Sequence, residues 1–494
     1  MAQRASDSAD VQAQYRGGCG ADSVVSAEHV PQAIPADAYL VHDGEEVVFP
    51  DDPREAVPAN ETLRTTPVDE IVDYLAATIP AFVDRLETEY IEDLQRVTGE
   101  SESMLRRDLE LMRALVDPDY LWGLLRCGET DMAAYLEAWQ QAQGYAETVT
   151  PLGRGVNVNA GHNIGAVIVP ELWRALTKNA VLHKMPSSDQ LTLRVLAETY
   201  ADHPHPVAES CTVGYWPGGS DDLERSLYSL DYVMAWGNDT TIASIQQRVA
   251  PTTRFVPFHF EFGAYLVDTT TQTAYDEALL EAIAKDFSWG DQLLCFSPLV
   301  MVLEECDETE RFLRDLAAAL ETYTDEYAMG VVPDEEEMKL TRTKKIARDY
   351  GELVSDWDNR TTVTLSAGLD RSDIAEFHSY RFVKAHTVDR LEDAIDLLGA
   401  NDHLQEFILA TTDTRGDALR DEIATTTAQR ITAPGGAPPT RAVPWDGKNP
   451  VDALVNWTSD ERPEAQYGHR SAWARLVALL PTRTTDRDPK THEQ

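Results

Sequence analysis

One cysteine, Cys295, stands in Asp291-Gln292-Leu293-Leu294-Cys295-Phe296-Ser297-Pro298, between a helical pattern (Tyr275 to Phe287) and an apolar strand pattern (Leu299 to Leu303). A thiol at such a junction can face a cleft. A carboxylate, Glu261, lies upstream in Phe260-Glu261-Phe262-Gly263. A cysteine that attacks a carbonyl must reach the thiolate form and needs a donor for the oxyanion it creates. Asn163, in Asn159-Ala160-Gly161-His162-Asn163-Ile164-Gly165, offers a side-chain amide beside the backbone N–H of Cys295. Plainer readings stand next to these. A lone cysteine is often a small core residue, and Cys211 and Cys306 fit that description. An asparagine near glycine is a turn signal, and one acid among 85 needs no function.

A second set of residues suits a nucleotide. Lys184 ends the strand pattern Ala180 to Lys184 and precedes Pro186-Ser187-Ser188-Asp189, where it can reach a ribose or phosphate. Ser187 and Ser188 can donate to a phosphate without adding negative charge. Trp236-Gly237-Asn238-Asp239-Thr240 joins a strand to a helix whose N-terminal N–H groups suit a pyrophosphate, and Gly237 permits close backbone approach. Asp239 also reads as a simple N-cap. The five cysteines form no CxxC pair, so the spacing suggests no metal.

These residues need a scaffold, and the chain patterns supply one. Residues 1–60, rich in Pro, Ala, Gly and acid, read as a mobile tail followed by a short arm or strand pair around Ala38 to Phe49. Helical periodicity runs from Val68 to Val97, then through Leu105 to Val116 and Met132 to Ala142. The continuous apolar run Ile164 to Val169 reads as the first buried strand, followed by helical Leu172 to Asn179. Short strands at 180–184, 210–215, 232–236 and 255–258 then alternate with helices at 190–200, 222–230 and 240–248. That alternation predicts a parallel, doubly wound α/β sheet, which binds ligands outside the carboxyl ends of its strands. A second α/β region follows, with helices at 308–323 and 388–398. The expected division is a tail and arm (1–60), a nucleotide-binding domain (61–261), a catalytic cysteine domain (262–445) and a C-terminal segment (446–494). That last segment packs back, with a disordered end.

Charge narrows the setting. There are 42 Lys+Arg against 85 Asp+Glu, a net −43, and the first lysine is Lys178. Such a surface repels nucleic acid and anionic membranes. The acid is spread along the whole length, and in molar salt the Debye length falls to roughly 3 Å, which removes its self-repulsion. The composition therefore reads as adaptation to high salt. The N-terminus lacks a basic-then-apolar leader, and no apolar run approaches the ~18 residues of a membrane span. A soluble, cytoplasmic, reduced protein is expected.

Taken in order, the motifs resemble the aldehyde dehydrogenase superfamily, and within it the LuxC-type acyl-CoA reductases (fatty acyl reductases). Gly161-His162-Asn163-Ile164 is similar to the oxyanion-asparagine segment, and Lys178-Asn179 through Lys184-Met185-Pro186-Ser187-Ser188-Asp189 to the family's lysine-serine stretch. Ala235-Trp236-Gly237-Asn238-Asp239 is similar to its nucleotide loop and Asp291-Gln292…Cys295-Phe296-Ser297-Pro298 to its cysteine motif. Gln429-Arg430-Ile431-Thr432, Trp445-Asp446-Gly447 and Leu454-Val455-Asn456-Trp457 resemble its closing motifs. The resemblance implies reduction of an acyl-CoA, or another activated acyl thioester, to the aldehyde with NADPH through a thioacyl-enzyme on Cys295.

By the same resemblance Asn163 and the Cys295 N–H hold the oxyanion, while Lys184, Ser187 and Ser188 hold the adenosine ribose and its 2′-phosphate. Trp236, Gly237 and Asn238 form the nucleotide loop. Ser187 stands where NAD-specific relatives often carry an acid, which favours NADPH and leaves NAD possible. A homo-oligomer and an acyl-activating partner protein are implied by analogy alone. The sequence departs from the pattern in three places. Phe296 replaces a small residue, Trp445 stands where histidine is more usual, and Glu261 occupies the general-base position of hydrolytic aldehyde dehydrogenases. Two alternatives stay open: a hydrolytic aldehyde dehydrogenase in which Glu261 activates water, and a nonenzymatic acyl-binding or scaffold protein.

Overall fold

Each strand of the middle region is short and covered on both faces. Ala180–Lys184 is buried along its whole length, as a parallel strand between two helical layers must be. The structure, a computed structural model, describes residues 35–462 apart from 36, 43, 127–129, 142–144, 162, 359, 440, 443 and 446. The expected tail and disordered end, Cys19, Cys127 and His162 lie outside the described residues.

The first sheet has seven strands in the order Glu45–Val47, Tyr39–His42, Cys211–Tyr215, Ala180–Lys184, Arg154–Val158, Tyr232–Trp236, Arg254–Phe258. The last five are parallel. The strand order reverses between Arg154–Val158 and Tyr232–Trp236, and there an open α/β sheet forms its ligand crevice. The expected strand pair near the N-terminus forms, and Tyr39–His42 pairs antiparallel with Cys211–Tyr215. It extends this sheet.

One expectation fails here. Ile164 to Val169 is not the first strand: Arg154–Val158 is, and the apolar run opens the helix Gly165–Leu176. Every residue from Val167 to Leu176 is buried. A helix buried on all sides loses the 3.6-residue apolar period, so a continuous run cannot be told from a strand. Even its charged residues are internal, with Arg174 bonded to Glu171 and His183 Nε2 at 2.9 Å from the same carboxylate.

The second sheet also has seven strands: Leu353–Trp357, Thr361–Ala367, Phe382–Val388, Pro298–Glu304, Phe262–Val267, Leu404–Ala410, Arg430–Thr432. All are parallel except the outermost, Leu353–Trp357. Ile283, Phe287, Phe312 and Leu316 of the helices Glu277–Ser288 and Thr309–Glu326 cover one face. Leu391, Ile395, Leu419 and Ile423 of Leu391–Leu398 and Asp413–Ile423 cover the other. The chain passes between the sheets at His259-Phe260-Glu261. It returns as Val455–Asp460, which pairs antiparallel with Ala146–Pro151 in a small third sheet. Among the described residues no helix is long and apolar enough to cross a membrane.

Candidate active site

The carboxyl edge of the first sheet meets the amino edge of the second around a cavity of about 260 Å³. Asn163, Glu261 and Cys295 line it together with Trp236, Gly237 and Asn238. Six residues from four separate motifs therefore line one cavity. One wall is aliphatic, made by Leu111, Met112, Leu115 and Val169. Lys184, Ser187 and Ser188 are outside it, further along the same sheet edge.

Cys295 sits at the tip of a tight turn. Ser297 N–H donates to the Leu294 carbonyl (2.9 Å) and Leu294 N–H to Ser297 Oγ (3.2 Å), so Cys295 and Phe296 are the central residues. The approach to this turn is unusual: Gly290, Asp291 and Gln292 all have positive φ (52°, 49° and 62°). Left-handed backbone at two non-glycine residues persists only where surroundings over-determine it, and here they do. The Asp291 carboxylate accepts from Arg381 Nε (2.8 Å) and Gly330 N–H (2.8 Å). Gln292 Nε2 donates to the carbonyls of Pro298 (2.8 Å) and Phe382 (3.2 Å), and its Oε1 accepts from Phe382 N–H (2.8 Å). Arg381 is buried and also donates to Thr324 Oγ1 and the Tyr327 carbonyl (2.7 Å each). The Asp-Gln pair ahead of the cysteine is thus a clamp that fixes where the thiol emerges.

Asn163 lies just before the helix Gly165–Leu176, its carbonyl accepting from Ala166 N–H (3.2 Å). Its Nδ2 donates to Asp108 Oδ2 (3.4 Å), and Trp289 Nε1 donates to Asp108 Oδ1 (2.8 Å). Asp108 therefore orients the amide and ties it to the segment that leads into the cysteine turn. Burial pushes the Asp108 carboxyl up to about 7, against the hydrogen bond from Trp289. Glu100, buried beside it, is raised well above the usual carboxylate range by burial and by the charge of Asp108. Sequence reading missed both acids. A signal existed: in Glu102–Ala114, Asp108 falls on the stripe of Met104, Leu105, Leu109 and Met112, a charge on the buried face.

Glu261 is buried. Its carboxylate accepts from Gln405 Nε2 (3.0 Å) and Gln429 Nε2 (3.5 Å), and His259 Nε2 lies 3.9 Å away. Gly263 N–H, two residues on, donates to the Ser297 carbonyl (2.8 Å), which links the Glu261 segment to the cysteine turn.

The nucleotide-side candidates occupy the crevice edge. Lys184 is buried, its ammonium 5.4 Å from the Trp216 ring and 5.9 Å from Tyr215, and burial lowers its pKa while Glu224 opposes the shift. Ser187 and Ser188 are exposed. Asp189, not Ser187 or Ser188, caps the next helix by accepting from the N–H groups of Leu191 and Thr192 (3.0 Å each). A Cβ on Gly161 would stand 2.0 Å from Ser188 Oγ, so the loop carrying Gly161 packs directly against the Ser188 side chain. Asn238, not Asp239, is the N-cap of Asp239–Gln246, its Oδ1 accepting from Thr241 N–H (2.9 Å). Trp236 stacks on Phe258 at 4.1 Å.

The two mostly parallel sheets and the helices that cover them have the aldehyde dehydrogenase fold. Lactaldehyde dehydrogenase from Escherichia coli superposes with a TM-score of 0.63 at 14% identity, covering 85% of this chain and 98% of that one. A 1-pyrroline-5-carboxylate dehydrogenase from Thermus with bound NAD gives 0.60 at 15% identity (86% and 90%). An NADP-dependent glyceraldehyde-3-phosphate dehydrogenase from Bacillus halodurans complexed with NADP gives 0.61 at 14% (85% and 98%). Within that fold the chain belongs to the LuxC acyl-CoA reductase family, whose model matches residues 63–457. It is 25% identical to long-chain acyl-protein thioester reductase 2 of Photobacterium leiognathi over 393 residues, 76% of this chain and 78% of that one. It is also 25% identical to the long-chain acyl-protein thioester reductase of Aliivibrio fischeri over 388 residues, with the same coverage.

Proposed function

We propose that this chain reduces an activated acyl thioester to the aldehyde through a thioacyl-enzyme on Cys295. The observation that carries the reading is the single cavity in which a turn-mounted thiol and an oriented amide meet an aliphatic wall. The Cys295 thiolate attacks the thioester carbonyl, and the Asn163 amide, braced by Asp108, holds the oxyanion together with the Cys295 N–H. Collapse re-forms the carbonyl and expels the donor as a thiolate, leaving the acyl group on sulfur. The aliphatic residues Leu111, Met112, Leu115 and Val169 suit a hydrocarbon chain, and the relatives that act on long-chain acyl-protein thioesters support that class of substrate.

The crevice residues fit a nicotinamide dinucleotide. The strand order reverses there, Gly161 and Gly237 admit close approach, and a helix N-terminus capped by Asn238 faces the opening. Such a cofactor, when bound, supplies the hydride that turns the thioacyl group into an aldehyde. Lys184, Ser187 and Ser188 would hold its adenosine ribose. The absence of an acid at Ser187 favours NADPH over NADH.

Glu261 keeps the hydrolytic reading in view, because its carboxylate lines the same cavity. Its bonds to Gln405 and Gln429 support a placed, structural acid. One assay separates the readings. Purified full-length protein given acyl-CoA and NADPH should release one free thiol for each aldehyde formed, and Glu261→Gln should retain that activity. Acid formed from aldehyde without CoA, and lost in Glu261→Gln, would establish hydrolysis instead.

A further inference from the structure

Three side chains that the sequence keeps far apart meet where the chain crosses between the sheets. His259 lies in the crossing segment, His403 just before the strand Leu404–Ala410, and Asp239 opens the helix Asp239–Gln246. One donor atom from each lies within 4.8 Å of the other two. His403 Nε2 is 3.2 Å from Asp239 Oδ2, and the two imidazoles meet edge to face with centroids 5.6 Å apart.

The hydrogen bonds fix the chemistry of the rings. Nδ1 of His403 is 2.9 Å, and Nδ1 of His259 3.1 Å, from the same acceptor, the Phe260 carbonyl. A carbonyl oxygen only accepts, so both Nδ1 atoms must donate. In a neutral imidazole the other nitrogen, Nε2, then carries a lone pair. At His403 that lone pair faces a carboxylate oxygen, acceptor against acceptor, and a cation between them removes the conflict. A backbone carbonyl holding Nδ1–H while Nε2 points outward is also the usual outer support of a metal-binding histidine.

We propose that His259, His403 and Asp239 form a binding site for a divalent transition-metal cation, with zinc the best match to two imidazoles and one carboxylate. Zinc takes such nitrogen and oxygen donors at about 2.0–2.2 Å, which places them roughly 3.3 Å apart in a tetrahedron. The His403–Asp239 pair is already at that spacing, and the largely exposed Asp239 carboxylate can rotate toward His259. Three protein ligands leave a fourth position for water. The ion ties the helix Asp239–Gln246 to the second sheet at the crossing segment, two residues from Glu261. A superficially similar group, Glu171, His183 and Cys211, is packed around Arg174, which already supplies the cation there. The proposal does not rest on the reductase reading.

The test uses full-length protein carrying Cys295→Ala, so that the active-site thiol contributes no ligand, and molar KCl to suppress diffuse binding to the acidic surface. After stripping with chelator and dialysis against Zn²⁺, this protein should retain one Zn²⁺ per chain more than its His403→Ala and His259→Ala derivatives. Its melting temperature should rise with the metal. His403→Asn is the decisive control, since its amide N–H can still reach the Phe260 carbonyl while Nε2 is gone. Folded His403→Asn lacking the extra equivalent supports the site. Equal retention in parent and His403→Asn, or no stoichiometric retention by the parent, overturns it.

Discussion

The two edges that meet at the cavity are built on different principles. On the amino edge of the second sheet the thiol is held by buried, fully bonded polar groups. Asp291, Gln292 and Arg381 clamp a stretch of left-handed backbone. On the carboxyl edge of the first sheet the nucleotide-side residues are glycines, helix caps and exposed serines, with Lys184 lodged against aromatic rings. At the cysteine turn the geometry is fixed by side chains in the interior. At the crevice edge it is fixed by backbone shape. Damage to the cysteine clamp should therefore appear in folding and rate, and damage to the nucleotide-side candidates Lys184, Ser187 and Ser188 in cofactor affinity and choice.

The strongest test of that contrast is Arg381→Met. It leaves the buried Asp291 without its charge partner, and breaking a buried pair in this way typically costs about 3–5 kcal/mol. Denaturant unfolding should show the loss, with activity falling alongside it. Asn163→Ala should remain folded by circular dichroism and lose ~10²–10³ in rate, the usual effect of deleting one oxyanion donor.

A smaller effect concerns pH. Asp108 is raised from 3.8 to about 7, so across that window the folded protein keeps a proton that the unfolded chain has released. The associated stability is fully present below pH 3.8 and is lost as pH rises through about 7. Thermal melts of Asp108→Asn should show a shallower decline across that range than the parent protein, while Glu100 preserves part of the slope. On the other edge Ser187→Glu should leave melting unchanged and move the KM ratio toward NADH. A Ser187→Glu protein that unfolds, or an Arg381→Met protein altered only in cofactor affinity, would dissolve the contrast.

How much of this was legible in the sequence depends on where the information lies. The strand-helix alternation from Ala180 to Phe258 was readable because each element is short and bounded by turn residues. Asn163, Glu261, Cys295, Trp236, Gly237 and Asn238 could be singled out as residue types at strand and helix ends, and they do line one cavity. Ile164 to Val169 was misread because burial on every side erases helical periodicity. The Asp291–Arg381 clamp and the Asp108 brace join residues far apart in the chain, so spacing carries no trace of them. Asp239, His259 and His403 are invisible for the same reason. The third sheet, made from Ala146–Pro151 and the distant Val455–Asp460, could not be paired from pattern alone.

The central claim is that Cys295 carries the acyl group, and intact-mass spectrometry tests it most directly. Protein mixed with a panel of acyl-CoAs in the absence of NADPH should gain the mass of one acyl group, with the adduct absent from Cys295→Ala and discharged when NADPH is added. An adduct that persists in Cys295→Ala, or aldehyde produced by that variant, would contradict the account.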